Sequence, residues 1–230
     1  MLTREGNPFL QPSFNDNFEI KHIYKNVFTT NVFVNAKSQG AGIIFNSNIA
    51  NSTQIVTREN YFNQIIYGIG ESIGFNKLKW LQSQNNITVL GSKTNFTKEI
   101  NANPKNGFAY SISSSNRIII NETTNFQTDF SYDSKLNFGL FSIGKMYSFD
   151  LGVNKSLLDK SLQISLLIKD IFNTSSLNNY ASIVNGVNQV YGQNRNNRYI
   201  RLSASYTFGN NAIKDKKKNF GNEEERRRSN

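Results

Sequence analysis

Side chains that commonly carry out chemistry are scarce in this sequence of 230 residues. It contains no Cys and a single His, His22. A disulfide framework, a thiolate zinc site and a Cys nucleophile are therefore excluded, and so is a metal site built from several His residues. No nucleophile has a base placed to activate it. We therefore expect no enzyme, with no catalytic, metal-binding or cofactor-binding residues and no cofactor.

The acidic residues offer one candidate constellation. Asp129, Asp150 and Asp170 fall on segments that we expect to be neighbouring strands. They could bind a cation or a polar substrate. The interpretation that we favour is that of ordinary polar residues paired with Lys169 or Arg201. Asp170 also suits a turn at the end of a strand, because an Asp side chain accepts hydrogen bonds from nearby backbone groups.

Three closely spaced glycines, at positions 68, 70 and 74, do not form a phosphate-binding loop. Their spacing differs from that of such loops, and no helix follows them. Within a sheet, glycines ease curvature or allow another segment to approach closely, and we expect that structural role here.

Alternation of apolar and polar residues runs through most of the chain and predicts β-strands. In 199–208, for example, Ile200, Leu202 and Tyr206 fall on one face, and Arg201 and Ser203 fall on the other. The pattern predicts an all-β, antiparallel fold. It predicts nine strands, at about 14–24, 27–45, 61–75, 78–91, 107–120, 124–133, 145–154, 159–171 and 197–208.

The connections between these strands alternate between short and long. The long ones are predicted at 46–60, 92–106, 134–144 and 172–196. A soluble sandwich has no reason to keep all its long loops at one end, whereas a transmembrane β-barrel has short turns on one side and long loops on the other. We therefore predict an antiparallel transmembrane β-barrel segment, although facial alternation alone would also suit a soluble sandwich.

Features of the sequence as a whole indicate part of a larger barrel. Nine strands is an odd number, whereas single-chain bacterial barrels close with an even one. No apolar run is long enough for a transmembrane helix. The first residues lack the apolar stretch of a signal peptide, which an exported protein needs. We therefore expect residues 1–208 to form the C-terminal part of a bigger barrel.

Two motifs and the last predicted strand follow one another in a recognisable order. Residues 6–14, followed by 17–19, look like the Gly-Asn-Pro-x-Leu-x-Pro-Glu…Asn-x-Glu segment of TonB-dependent outer-membrane receptors, with Ser13 where that family often has Glu. Residues 169–173 resemble the Asp-hydrophobic-Phe-Asn motif of the penultimate strand, and 198–208 resemble the final strand. The most similar variant is the outer-membrane β-barrel family of Bacteroidetes.

The resemblance implies a function and a location. Such receptors have a barrel of about 22 strands plugged by an N-terminal domain, and they import large nutrients with energy from the TonB complex. This chain would supply barrel wall and extracellular loops in a Gram-negative outer membrane, with its C-terminus periplasmic. Its partners would be outer-membrane lipid, a missing N-terminal barrel and plug segment, and the TonB complex through that segment only. Without the plug, it would be incompetent for transport on its own.

The connection 172–196 contains our candidate ligand contacts at the extracellular mouth. These are Tyr180, Tyr191, Arg195 and the nearby Arg198. Loops on a rigid scaffold commonly carry binding residues. A solvated surface loop without specificity is equally compatible with the composition.

Residues 209–230 form a charged tail with seven basic and four acidic residues, which accounts for +3 of the chain's +10 charge. Blocks of like charge with few apolar residues are typical of solvated, disordered segments. We expect a periplasmic tail of that kind and no nucleic-acid partner.

Two other functions fit parts of the pattern. One is a complete small outer-membrane channel or adhesin, which a closed barrel that conducts ions alone would support. The other is a soluble all-β binding module, which solubility without detergent would support.

Overall fold

The computed structural model describes residues 2–48, 50–97, 100–102, 106–175, 180–184, 186–192 and 196–208. Over these ranges, no helix is long and apolar enough to span a membrane. Their regular structure is fourteen strands: β1 (Leu2–Arg4), β2 (Phe14–Tyr24), β3 (Phe28–Asn48), β4 (Thr53–Leu78), β5 (Leu81–Phe96), β6 (Gly107–Asn121), β7 (Thr124–Asp133), β8 (Leu136–Phe138), β9 (Phe141–Ile143), β10 (Met146–Leu157), β11 (Leu162–Lys169), β12 (Tyr180–Val184), β13 (Val187–Tyr191) and β14 (Tyr199–Tyr206).

One large sheet contains all nine strands that the alternation predicts. Its order is β14-β11-β10-β7-β6-β5-β4-β3-β2, and every neighbouring pair is antiparallel. The short β1 joins β4 in parallel, off this path. The chain therefore runs as a meander, and the predicted all-β antiparallel fold is confirmed.

The prediction of a long connection at 46–60 is wrong. β3 continues to Asn48 and β4 begins at Thr53, so these residues form the end of a long hairpin. Strand pairing needs only backbone donors and acceptors, so it continues where apolar alternation fades. A cross-strand bond from Gln54 Nε2 to Ser47 Oγ, 3.0 Å long, supports the extension.

A second sheet forms from the connections predicted as loops at 134–144 and 172–196. Its order is β13-β12-β9-β8, and Tyr180 of β12 lies opposite Ile143 of β9. Strands this short carry little periodic signal, which is why the sequence pattern predicts loops there.

The second sheet packs against the extension of β3 and β4. The buried core there contains Ile44, Tyr61, Phe62, Ile100, Leu140 and Val184. Gln189 Nε2 of β13 also donates to the Phe45 carbonyl of β3 at 3.0 Å. We name this the long-loop end. The opposite end, with turns at 25–27, 79–80, 122–123 and 158–161, is the short-turn end.

The large sheet exposes apolar side chains on one face, which we call the apolar face. One row of cross-strand partners on it is Ile20, Val32, Ile69, Val89 and Tyr110. All five are exposed, and Ile20 is 75% exposed. A sheet folded in water normally buries its apolar face against another layer, so this exposure fits a surface that meets lipid.

Candidate functional site: the polar face of the large sheet

The opposite face of the large sheet, the polar face, carries Ser, Asn, Gln, Asp, Lys and Arg side chains joined across strands. Asn154 Nδ2 of β10 donates to Asn125 Oδ1 of β7 at 3.1 Å, and Ser165 Oγ of β11 donates to Asn154 Oδ1 at 2.7 Å. Ser131 and Ser148 share a hydrogen bond of 2.8 Å. The alternation of the strands places these groups together, and mutual bonding fixes their orientation.

A charged cluster lies on the polar face toward the long-loop end. Asp129 and Asp150 are cross-strand partners on β7 and β10. Lys169 forms an ion pair with Asp150, whose side chain is almost completely buried. Asp129 instead accepts hydrogen bonds from Ser115 Oγ at 2.5 Å and from Gln127 Nε2 at 2.7 Å. The two carboxylates are therefore stabilised by separate donors.

The predicted pairing of the acidic residues is confirmed for Lys169 but not for Arg201. Among the described residues, Arg201 has no carboxylate partner, and its guanidinium lies 5.9 Å from the centre of the Tyr199 ring. A cavity of about 480 Å³ lies between Arg201, Lys169, Asp129 and Asp150. Both charge signs and several amides and hydroxyls face it. Such a lining can hydrogen-bond to a polar solute but holds no nucleophile paired with a base.

Arg117 is a residue of the polar face that the sequence analysis overlooked. It lines two further cavities toward the short-turn end, of about 320 and 420 Å³. The signal was present in the sequence, since Arg117 has the same strand parity as Ser113 and Ser115. With Arg201, it gives the polar face two guanidinium groups that form no ion pair with any described residue.

Asp170 ends β11 in the turn that the sequence predicts. It is fully buried and has a positive φ of 48°. Its carboxylate accepts bonds from the Thr174 N–H at 2.9 Å, the Ser175 N–H at 3.0 Å and the Ser175 hydroxyl at 2.6 Å. Burial alone would raise the pKa of Asp170, but these hydrogen bonds together outweigh it and hold the pKa below its ordinary value.

The turn at Asp170 is connected to the charged cluster and to β14. The Asp170 N–H donates to Asp150 Oδ1 at 2.8 Å. Asn197 Nδ2 donates to the Ser175 carbonyl at 3.1 Å, which ties the approach to β14 to the same turn. Phe172 stacks on Phe149 with ring centres 6.1 Å apart. The Asp-Ile-Phe-Asn motif therefore joins three strands where they leave the large sheet.

The Gly-Asn-Pro motif lies near the start of the described chain. Residues 5–11, which contain it, run along β4, and we call this segment the strap. The Glu5 N–H donates to the Val56 carbonyl at 3.0 Å, and Asn7 Nδ2 donates to the Arg58 carbonyl at 2.9 Å. Gln11 and Asn60 bond reciprocally, at 2.8 and 2.9 Å. The Asn of Gly-Asn-Pro thus holds the segment against the sheet through a side chain.

Three of the four candidate ligand contacts are among the described residues, and these three lie at the long-loop end. Tyr180 and Tyr191 are cross-strand partners in the second sheet. The Tyr180 ring packs edge-on against Phe141, with centres 5.4 Å apart. Arg198 is exposed just before β14, and Arg195 lies outside the described residues, as does the charged tail 209–230. Their contact with a ligand stays a prediction.

Comparisons with known proteins give one family. A family model described as "Outer membrane protein beta-barrel family" matches residues 2–206. Among curated proteins, none matches the sequence. The outer membrane transporter YddB from Escherichia coli is a similar solved structure, with a TM-score of 0.49 and 11% identity. The match covers 90% of this chain and 34% of that one, so this chain spans about a third of the transporter's length.

Proposed function

Because this chain belongs to the outer membrane protein beta-barrel family, we propose that it forms part of the wall of an outer-membrane transporter and lines the solute passage with its polar face. The observation that carries the proposal is the division of one meander into two faces. Exposed apolar side chains predominate on one face, interrupted by polar pairs such as Thr30–Glu71 and Ser83–Asn116, and hydrogen-bonded polar side chains cover the other face. Lipid on one side and water on the other is the setting in which both are stable.

The passage would act by selection and not by covalent chemistry. Amides and hydroxyls of the polar face exchange hydrogen bonds with a solute, and the charged cluster offers both signs within one cavity. This favours hydrophilic solutes rich in hydroxyl and amide groups over apolar ones. The hydrogen-bonded network keeps the lining fixed while a solute passes.

We also propose an orientation and partners for the chain. The long-loop end would be extracellular and the short-turn end periplasmic, as in bacterial barrels generally. β2 and β14, which have free edges within the described sheet, would pair with further strands of a larger barrel. Such pairing is needed in lipid because an unpaired strand edge leaves backbone groups without hydrogen-bond partners. The Gly-Asn-Pro and Asp-Ile-Phe-Asn motifs support a TonB-dependent receptor of the Bacteroidetes type, with a plug carried by another segment.

Single-Cys labelling tests the two-faced arrangement directly, because the natural chain has no Cys. We would reconstitute Leu202→Cys and Ser203→Cys variants in liposomes. Leu202 is 72% exposed on the apolar face, and Ser203 is adjacent on the polar face. A bimane label at 202 should be quenched by brominated lipid, whereas a bimane label at 203 should not be quenched. An unlabelled Cys at 203 should react with a membrane-impermeant maleimide.

The outcomes distinguish the alternatives. Equal maleimide reactivity at both positions, with a chain that stays soluble without detergent, would refute the membrane proposal in favour of a soluble binding module. Discrete ion conductance from the chain alone in a planar bilayer would support a complete small channel instead of a wall segment. Labels at Lys79 in a short turn and at Asn51 in the β3–β4 turn should be accessible from opposite sides.

A further inference from the structure

A separate cavity of about 660 Å³ lies at the long-loop end, between the strap and the extension of β3 and β4. Its apolar lining comes from Leu2, Leu10, Ile43, Phe45 and Val56. Its volume is in the range of small-molecule sites, which are mostly apolar with a few polar groups. The strap bonds to the Val56 and Arg58 carbonyls, so this wall of the cavity is fixed to its floor.

The cavity is on the opposite face of the β3–β4 extension from the core. Ile43 and Phe45 alternate with Ile44, which belongs to the buried core cluster. On β4, Tyr61 is an extra residue in the pairing with β3, so the alternation of side chains between the two faces reverses there. Arg58 and Val56 therefore lie on the same face of the sheet as Ile65. That face is the apolar one. The cavity therefore continues the apolar face beyond the part expected to meet lipid, because a transmembrane strand needs only ~9–11 residues and Ile43 is 15 residues from Phe28, and it is separate from the polar passage.

The charged groups of the cavity determine what it would bind. Arg4 and Arg58 both line it, and within the described chain neither guanidinium forms an ion pair. Glu5 also lines it without an ion pair, so these three groups carry a net charge of +1. Guanidinium groups bind carboxylate and phosphate through paired N–H donors. An apolar cavity with two such groups suits a molecule with an apolar body and an anionic head.

We propose that this cavity binds an anionic amphiphile, namely an acyl chain that ends in a carboxylate or a phosphate. The acyl chain would lie along Ile43, Phe45 and Val56, and the head group would reach Arg4 and Arg58. Tyr180 of the second sheet also lines the cavity. The site would serve a lipid of the surrounding leaflet or a soluble acyl ligand by the same chemistry.

Binding of a dansyl-labelled undecanoic acid to the full chain in neutral maltoside micelles tests the proposal. Saturable binding is expected, and dodecyl phosphate should displace the probe at least tenfold more effectively than dodecanol. Inorganic phosphate alone should not displace it. Absence of saturable binding, or displacement by inorganic phosphate alone, would overturn the proposal.

Charge variants provide the matched comparison. The Arg4→Gln/Arg58→Gln double variant should bind the probe roughly tenfold or more weakly, because it loses the charge-assisted bonds to the head group. The Lys77→Gln/Lys79→Gln variant removes the same charge at exposed positions of the short-turn end and should bind like the natural chain. Equal binding by both double variants would refute a role for the arginines.

A second variant addresses the apolar half of the cavity, and a lipid competition identifies the source of the ligand. Ile43→Trp places a large ring in the cavity at a partly exposed position, so it should weaken the binding of both the labelled acid and dodecanol. In mixed micelles, displacement by phosphatidylglycerol but not phosphatidylcholine would support a bilayer lipid. Displacement by neither would support a soluble amphiphile, and equal displacement by both would contradict the requirement for an anion.

Discussion

Replacing Asp170 by Asn should lower the free energy of unfolding by about 2 kcal/mol at pH 7. In the natural chain, the two oxygens of Asp170 accept from the Thr174 N–H and, at 3.0 Å, from the Ser175 N–H. In the variant, the Asn oxygen can still accept from Thr174, but the Asn amide nitrogen would face the Ser175 N–H, and both groups are donors. A buried donor without an acceptor costs about 1–3 kcal/mol, and we take the middle of that range because Ser175 is half-buried. Asn tolerates the positive φ as well as Asp does, so the backbone adds no further cost.

The pH dependence gives an independent test of the same carboxylate. The pKa of Asp170 is lowered in the folded state, so its contribution to stability is complete above the ordinary Asp pKa of about 3.9. The contribution is lost progressively as pH falls below that value and through the lower, folded pKa. The difference in unfolding free energy between the natural chain and Asp170→Asn should therefore be constant near neutral pH and shrink below about pH 4.

The assay is urea unfolding in neutral micelles, followed by far-ultraviolet circular dichroism at several pH values. Asp159→Asn is the control, because Asp159 also has a positive φ, of 50°, but lies exposed in a short turn. It should change the unfolding free energy by less than about 0.5 kcal/mol. An unchanged urea midpoint for Asp170→Asn, or an equal loss in the control, would refute the role assigned to the turn.

Three further substitutions test packing, polar satisfaction and the apolar face. Gly68→Ala should lower the free energy of unfolding by about 1–3 kcal/mol, because a Cβ there would lie 2.6 Å from a backbone carbonyl of β5, whereas for Gly70→Ala the nearest atom is the Thr88 hydroxyl at 3.3 Å and the nearest backbone carbonyl is 3.9 Å away. Equal urea midpoints for the two would contradict close approach at position 68. Asp150→Ala should lower the free energy of unfolding by about 2 kcal/mol, mainly because it leaves the buried Asp170 N–H without an acceptor, whereas the Lys169 side chain is 40% exposed and can be hydrated. A loss below about 0.5 kcal/mol would show that water replaces the carboxylate at this N–H. Leu202→Arg, in the middle of β14, should make bilayer insertion about 2–4 kcal/mol less favourable while Ser203→Arg is tolerated, and the reverse order in a liposome flotation assay would invert the assigned faces.

The Gly-Asn-Pro and Asp-Ile-Phe-Asn motifs each have a structural role. Asp170 supplies the acceptors of a tight turn, and Asn7 holds the strap on β4. Both roles are structural, and the second also fixes one wall of the cavity beside the strap. Because both motifs act by closing a strand end or holding a segment on the sheet, they predict the fold and not a substrate.

The nine strands of the large sheet and their two faces were determined by the sequence alone. Period-two alternation is a local property, so it predicts opposite faces for Ile200 and Ser203 without reference to any other strand. The sequence also predicted that the aspartates pair with Lys169 or Arg201, because neighbouring strands of a meander bring such residues side by side, and the structure selects Asp150 with Lys169. The role of Asp170 was also predictable, because the hydrogen bonds of a turn join residues that are close in sequence.

Only the tertiary structure decided where distant segments meet. Gln189 and Phe45 are joined across the long-loop end, and Arg4 and Arg58 share one cavity, yet no local pattern relates either pair. The extension of β4 to Thr53 was equally invisible, because backbone pairing with β3 and β1 sustains it without apolar alternation. Side-chain periodicity reports which face a residue occupies, whereas contacts between loops depend on how the whole sheet bends and brings its ends together.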